Sequence, residues 1–391
     1  MTAQEYFDEC VHVNPLNEGP EKLGSLPGCK GVVLFADKTD RPIQLLITGN
    51  VRRLATCRLF SGSEEVSTKR TNIAEITRRI YYRCCYNDFA SSFEYWQIAS
   101  ALWPDTYRQL SPYAKQSYVR IDLSSEWPRF VLTDKPLVSE KKKVFGPFPS
   151  RKSTNAFIEI LQEAFGLCRK GKMVETGTKT VSCPYLQMGQ CSGPCAGKVS
   201  RTEYMEQIKQ AIAAASGNTQ QQKARLENRM RQLCERMEFE QAEMVKKQLG
   251  KLELLNKEIY CWTGDLAQLA ILHIDKSAKV AEPGKRKKTQ SFSAFLIRYG
   301  SITRPADFAL DGIEDFHKTF LSSLAQDTPD AQPQLLYDQL GLAGYFLYRS
   351  RRPGIWINCA GDKALPTAEE IKDMICTHFR LEETSKRRSD D

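Results

Sequence analysis

Three cysteines crowd one short stretch of this chain: Cys183, Cys191 and Cys195, within Ser182-Cys-Pro-Tyr-Leu-Gln-Met-Gly-Gln-Cys-Ser-Gly-Pro-Cys195. Seven residues separate the first pair and three the second, and fourteen residues separate a fourth, Cys168, from Cys183. Glycine and proline between them favour tight turns, which let several sulfurs converge on one point. The spacing therefore suits a metal or iron–sulfur centre that holds a loop-rich segment together. Unmetallated thiols are the plain alternative.

The chain has thirteen cysteines. Its first residues, Met1-Thr-Ala-Gln-Glu-Tyr-Phe-Asp-Glu, are acidic and have no apolar h-region. Together these point to a reducing, cytoplasmic setting, where clustered cysteines favour metal ligation over disulfides. The other nine, Cys84, Cys85 and Cys234 among them, read as small buried hydrophobes. A length of 391 residues allows two or three domains with real cores. Hydrophobic content of 41% and charged content of 26% are those of an ordinary soluble protein, and no run of apolar residues is long enough for a membrane span. The net charge of +9 is compatible with a polyanionic partner.

Patterning predicts mixed α and β structure. Gly31–Phe35 and Ile43–Ile47 read as strands joined by a polar turn. A helix is expected from Val51, a second at Ile73–Ile76, a strand over Ile80–Cys85 and a helix over Ser92–Leu102. Tyr118–Leu123 and Arg129–Leu132 give another strand pair. Ser153 to Cys168 reads as a helix, with Ser153 as its possible cap. Residues 201–222 are helical. Over 225–258, Leu226, Met230, Leu233 and Met237 mark one face, and Phe239, Ala242, Val245, Leu249 and Leu252 continue on a shifted one. That break near Glu238 predicts a helical hairpin. Residues 260–375 read as a separate α/β module with strands at 268–274 and 293–299. The intervening basic loop Glu282–Lys288 and the tail Ser385–Asp391 read as irregular.

Three blocks in order carry a family resemblance: Phe145-Gly-Pro-Phe-Pro149, the cysteine stretch, and Met237-Glu-Phe-Glu-Gln-Ala242. The chain resembles UvrC, the nuclease subunit of bacterial nucleotide-excision repair, over roughly residues 25–260 and more loosely to about 325. The resemblance implies an α/β (α+β) chain in five parts. These are a degenerate GIY-YIG nuclease-like domain (20–112), a cysteine-rich domain (113–222), a UVR helical hairpin (223–259), a C-terminal α/β module (260–380) and a disordered tail (381–391). The family's second, ribonuclease H-type nuclease and its helix-hairpin-helix pair have no counterpart in the sequence. That makes the chain similar in extent to the relative called Cho.

A GIY-YIG nuclease uses two tyrosines, a lysine, an arginine and a metal-binding glutamate. The chemistry needs a nucleophile or base, a cation on the phosphate and a divalent ion. In family register this chain has Val33, Ile47, Asn50 and Cys57 at the first four positions. Arg58 is one residue off register, which on a helix is a rotation of about 100°. Only Glu94 matches. Glu94 and Arg58 are therefore the candidate catalytic residues of a site expected to be lost or crippled. Mg²⁺ or Mn²⁺ is implied only if nicking survives. Valine and isoleucine neither donate a proton nor attack phosphorus. Tyr81, Tyr82 and Tyr86 are the nearby phenols that could revive the site. Strand alternation would put Tyr82 and Tyr86 on one face and Tyr81 on the other.

In the family the cysteine block is a metal centre, which assigns Cys168, Cys183, Cys191 and Cys195 as ligands of a 4Fe–4S cluster, with zinc the alternative. Arg169, Lys170, Lys172, Lys179 and Lys198 would then face a DNA backbone, unless they are simply solvated. The hairpin resembles the UVR motif, which pairs with a helical segment of UvrB. Phe239 would be its anchor, with Glu240, Arg236 and Lys247 around it and Ala242 on the same helix. The plain alternative is a hairpin packed on its own domain. The expected function is a UvrC-like repair protein that binds DNA and UvrB with incision lost or weak. The alternatives are an active endonuclease nicking beside a lesion, and a metal-stabilised scaffold of another complex.

Overall fold

The computed structural model describes residues 3–60, 72–110, 113, 116–169, 183–281, 288–326, 333–361 and 364–381. Its first sheet is antiparallel throughout, with strands β1 (Glu9–His12), β2 (Gly31–Ala36), β3 (Pro42–Thr48) and β4 (Arg79–Cys84) in the order β1-β4-β2-β3. Alternation sorts β2 cleanly. Val33 and Phe35 join Ile80, Tyr82 and the helix α1 (Val51–Leu59) in one core. Val32, Leu34 and Ala36 face the other way, toward the helix α2 (Asp88–Leu102). The two helices thus lie on opposite faces of the sheet.

A second antiparallel sheet contains β5 (Ser117–Asp122), β6 (Phe130–Thr133), β7 (Lys142–Phe148) and β8 (Gly264–Asp265), ordered β6-β5-β7-β8. Helix α3 (Arg151–Phe165) packs on it through Phe157, Leu161 and Phe165, against Val119, Phe130, Phe145 and Phe148. Helix α4 (Arg201–Ala215) adds Tyr204, Ile208 and Ala211 to the same core, which also takes in Cys168 and Cys191. Helices α5 (Thr219–Glu235) and α6 (Phe239–Glu253) form a hairpin beside it.

The third sheet is built on a long hairpin, β9 (Ala270–Val280) with β10 (Thr289–Arg298). Strands β11 (Ser301–Thr303) and β12 (Asp307–Ala309) pair with β10, and β13 (Ile355–Asn358) pairs with β9. One face is covered by α7 (Ile313–Ala325) and α9 (Ala368–Phe379). The other meets α2 and α8 (Pro333–Leu347) in a core that also reaches Tyr118 and Val144 of the second sheet. Phe89 of α2 sits at its centre, with ring centroids 4.8 to 5.5 Å from His273, Phe295, Phe346 and Trp356. Helix α2 is apolar nearly all round because it is buried between two sheets. Each fully buried aromatic of this kind contributes roughly 1.5–3 kcal/mol relative to exposure.

Several expectations shift. The first unit begins before residue 20, since β1 completes its sheet. The observed order there is β-β-β-α-β-α. Ile73–Ile76 is one turn closed by the Thr77 amide on the Ile73 carbonyl, too short for a helix. Ser150, not Ser153, caps α3, and Ser153 bonds back to it in a capping box. The hairpin starts at Thr219, so a boundary at 222 cuts through α5. Residues 264–265 belong to the second sheet, not to the C-terminal module. Cys85 is buried as expected, whereas Cys84 is half-buried and Cys234 is exposed. The tail beyond 381 and loop residues 282–287 lie outside the described residues. Among the described residues no helix is long and apolar enough to cross a membrane.

Candidate functional site

The cysteine segment starts where α3 stops. Gly166 ends that helix in the left-handed region at φ 61°, which a glycine adopts without strain. Its carbonyl accepts from the Ser192 amide at 2.8 Å, clamping the two ends of the segment together. Cys168 follows, buried, with its amide donating to the Tyr204 hydroxyl at 3.3 Å, and that hydroxyl donates to the Pro128 carbonyl at 3.1 Å. Cys183 precedes a single helical turn, Pro184–Gln187, and Cys195 lies in another short turn, Pro194–Ala196. Between them Gly193 has φ 78°, and a Cβ there would stand 2.8 Å from Leu186.

These turns bring the four thiols into one another's field. A hydrogen bond with Cys168 holds the Cys191 thiol below its ordinary value, against the opposing pull of burial, and the Gly193 amide donates to its sulfur at 3.4 Å. Burial, together with Cys168 and Cys183, pushes the Cys195 thiol up. An amide on a sulfur and four thiols, three of them buried, are donors of the chemical type that a thiolate-held centre uses. Among the described residues, no three such side chains stand close enough to hold a metal as placed.

Arg169 is turned inward. Its guanidinium bonds Glu163 at 3.1 Å and stacks 4.7 Å over the Tyr185 ring, and Lys251 of α6 reaches the same carboxylate at 2.7 Å. Burial pushes the Glu163 carboxyl up, and the bonds and charges of Lys251 and Arg169 more than offset it, leaving it below the usual range. Arg169 therefore ties the cysteine segment to the hairpin, and its charge is engaged within the protein. Lys198 is exposed, and Lys170, Lys172 and Lys179 lie outside the described residues.

The hairpin turns at Met237, whose φ is 60°. Leu233, Ala242 and Val245 form its small internal core, so Ala242 faces the partner helix instead of an outer surface. Arg236, Glu240 and Lys247 are exposed, and Phe239 is 64% exposed. Met237, expected on the apolar face of the first helix, is instead exposed at the turn, and Met188 and Met244 are exposed apolar residues that the sequence did not single out. Met188 and Met244 belong together, because the position of a Cβ on Gly189 lies 3.7 Å from the Met244 sulfur. The spacing of methionines could have signalled this face.

The nuclease-like positions do not assemble. Val33 is fully buried, Ile47 is exposed, and the Asn50 side chain caps α1 by accepting from the Arg53 amide at 2.9 Å. Cys57 is exposed and Arg58 half-buried on α1. Glu94 lies across the sheet on α2, 7% exposed, with its carboxylate 3.2 Å from the Arg83 Nε. It is neither a solvated helix residue nor on the α1 side. Burial pushes its carboxyl up, and Arg83 and Arg304 pull it partly back. Tyr82 bonds Glu9, and Tyr81 donates to Asp40 at 2.5 Å. Burial and these acceptors push the Tyr81 hydroxyl up to about 12 and raise that of Tyr82 as well. Both phenols therefore stay protonated. Tyr86 follows the end of β4 with φ 65°, so strand alternation does not place it with Tyr82.

Residues 117–214 match the family model for the UvrC/Cho excinuclease, middle domain. The chain is 23% identical over 303 residues to the UvrABC system protein C of Clostridioides difficile, covering 75% of this chain and 47% of that protein. It is 25% identical over 207 residues to the protein of the same name from Clostridium botulinum strain Langeland, covering 53% and 32%. Against that of Dehalococcoides mccartyi it is 26% identical over 221 residues, covering 54% and 35%. The chain thus spans at most about half the length of these relatives. No solved structure matches it.

Proposed function

Because the chain is a UvrC-family protein, we propose that it acts in nucleotide-excision repair as a factor that binds DNA and a UvrB-type subunit without incising. The observation that carries this is the filled α1 face. Val33, at the first tyrosine position of the resemblance, shares a sealed apolar core with Phe35, Ala55 and Leu59. Among the described residues of that face the Tyr82 phenol is bonded to Glu9 and raised by burial, and Glu94 is paired with Arg83 on the other side. Phosphodiester hydrolysis needs general-base help and charge stabilisation together, each worth orders of magnitude.

Cys168, Cys183, Cys191 and Cys195 would hold a 4Fe–4S cluster or zinc, which would supply folding energy to a segment built of turns. The exposed tip of the hairpin would dock the helical segment of the UvrB-type partner. Buried aromatic anchors ringed by charge are the usual source of such affinity. A nicking assay on lesion-bearing duplex, with UvrA and UvrB and with Mg²⁺ or Mn²⁺, tests the proposal. Stoichiometric binding without a nick is the expected result, and divalent-dependent nicking lost in Glu94→Gln would overturn it.

A further inference from the structure

We propose that a groove at the edge of the third sheet holds an unpaired nucleotide of single-stranded DNA. The groove has a volume of about 740 Å³, and its lining includes Trp262, Arg352, Gly354, Trp356, Met374 and His378. It lies apart from the cysteine segment, the hairpin and the α1 face, and it deepens the proposal above by giving DNA a specific contact.

Its aromatic surfaces are fixed in place. The Trp356 ring stacks on His273 at 4.0 Å, and its indole N–H donates to the Pro353 carbonyl at 2.8 Å. Gly354 turns the chain beside it at φ 67°. A Cβ there would stand 2.4 Å from the Ile274 carbonyl oxygen, so only glycine lets this loop lie against the sheet. Trp262, 9% exposed, forms another part of the wall. Its buried indole N–H has no acceptor within the described protein, although it is a donor that ordinarily finds one. An acceptor on a bound base or phosphate would satisfy it.

The charge around these rings suits a nucleotide. The Arg352 guanidinium sits 5.6 Å from the Trp262 ring centroid, a planar cation on an aromatic face. Its acidic partner is Glu258 at 3.6 Å, which is 88% exposed, so that pair is weak and a phosphate can replace it. Arg351 and Arg380 are exposed nearby in sequence, on either side of the lining residues. Asp373 and Thr377 also line the groove and offer acceptors to base-edge amino groups. Rigid aromatic faces with a basic surround are the elements of single-strand binding. A duplex, whose bases are already stacked, cannot present a ring to them.

The test uses the full chain and fluorescence anisotropy, with a labelled oligo-dT strand and a duplex of equal length at one salt concentration. Met374→Glu changes an exposed lining residue, and Arg352→Ala removes the cation. Each should weaken oligo-dT binding about tenfold or more, as loss of a stacking contact does, with duplex binding and unfolding midpoint unchanged. Wild-type oligo-dT affinity in Met374→Glu, or equal weakening of oligo-dT and duplex, would overturn the groove assignment alone. If the wild-type chain bound neither probe, the groove and the DNA-binding function would fail together.

Discussion

Glu94 and Arg83 form an ion pair, Oε2 to Nε 3.2 Å, between α2 and β4 on the face of the first sheet opposite α1. The carboxylate side chain is 9% exposed and the guanidinium side chain 33%. Glu94 is therefore used to settle a buried helix against a strand. Removing one partner of such a pair strands the other, though the partial exposure of Arg83 softens the loss. Arg83→Met should lower unfolding stability by about 1–2 kcal/mol, because it leaves the buried Glu94 carboxylate without its main counter-charge. Urea unfolding by circular dichroism reads this directly, and a midpoint equal to wild type would show that the pair contributes nothing.

The four cysteines carry the second prediction. Cys191→Ser removes the thiol that bonds Cys168 and accepts the Gly193 amide. Purified anaerobically, the wild-type chain should contain iron and sulfide, or else one zinc, in stoichiometric amount, and the variant should lose most of it. Because metal binding here is folding energy, residues 145–200 should exchange amide hydrogens faster in the variant. Metal-free wild-type protein with unchanged exchange in the variant would remove the centre from the account.

Much of the fold was legible because its signals are local. The runs at Gly31 and Ile43 became β2 and β3 within a residue or two. The phase change near Glu238 became a turn between helices. What stayed hidden is non-local or short. Strand β7 contains Gly146 and Pro147, residues that suppress a strand signal, yet it is held by β5 on one side and β8 on the other. Strands β1, β11, β12 and β13 have three or four residues each, too few for a period. At the site, motif order singled out the cysteines as candidates. The Glu94 pairing, the inward turn of Arg169 and the Trp262 groove depend on residues far apart in sequence.

Two buried groups in β9 give the chain an opposed pH dependence. Burial pushes the His273 imidazole down to about 3, so the folded chain keeps it neutral while the unfolded chain protonates near the ordinary value of 6.5. Its contribution is present above that value and is lost as pH falls toward 3. Burial pushes the Asp275 carboxyl up to about 6 from 3.8, against the pull of the Lys276 amide. Its contribution runs the other way, present below 3.8 and lost as pH rises through 6. Asp275→Asn should therefore gain on wild type by about 2 kcal/mol between pH 4 and pH 7. Paired unfolding curves at the two pH values measure that difference, and a constant offset would rule it out.

Phe239 is exposed and adds nothing to the hairpin core of Leu233, Ala242 and Val245. Phe239→Ala should leave the unfolding midpoint unchanged. If the tip docks a UvrB-type helical segment, the same variant should weaken binding of that peptide by about 2 kcal/mol or more. Calorimetry against a UvrB C-terminal peptide separates the two effects. Unchanged affinity would return the hairpin to a purely internal role.

The final prediction concerns what restoring a catalytic-type side chain does. Asn50 stands where the family lysine is expected, but it caps α1 through the Arg53 amide. Asn50→Lys exchanges that acceptor for a cation at a helix N-terminus, where the dipole disfavours positive charge. It should cost about 1 kcal/mol of stability and produce no nicking. The first tyrosine position stays apolar, because Val33 is buried in one core with Ala55 and Leu59. Placing tyrosine at Val33 would overpack the same core at a cost of about 1–3 kcal/mol. Gel analysis of a nicked-circle product from the Asn50→Lys chain, with Mg²⁺ and with Mn²⁺, decides the matter. Turnover above the wild-type background would mean that a working cleft exists on this face and that only its cation was missing.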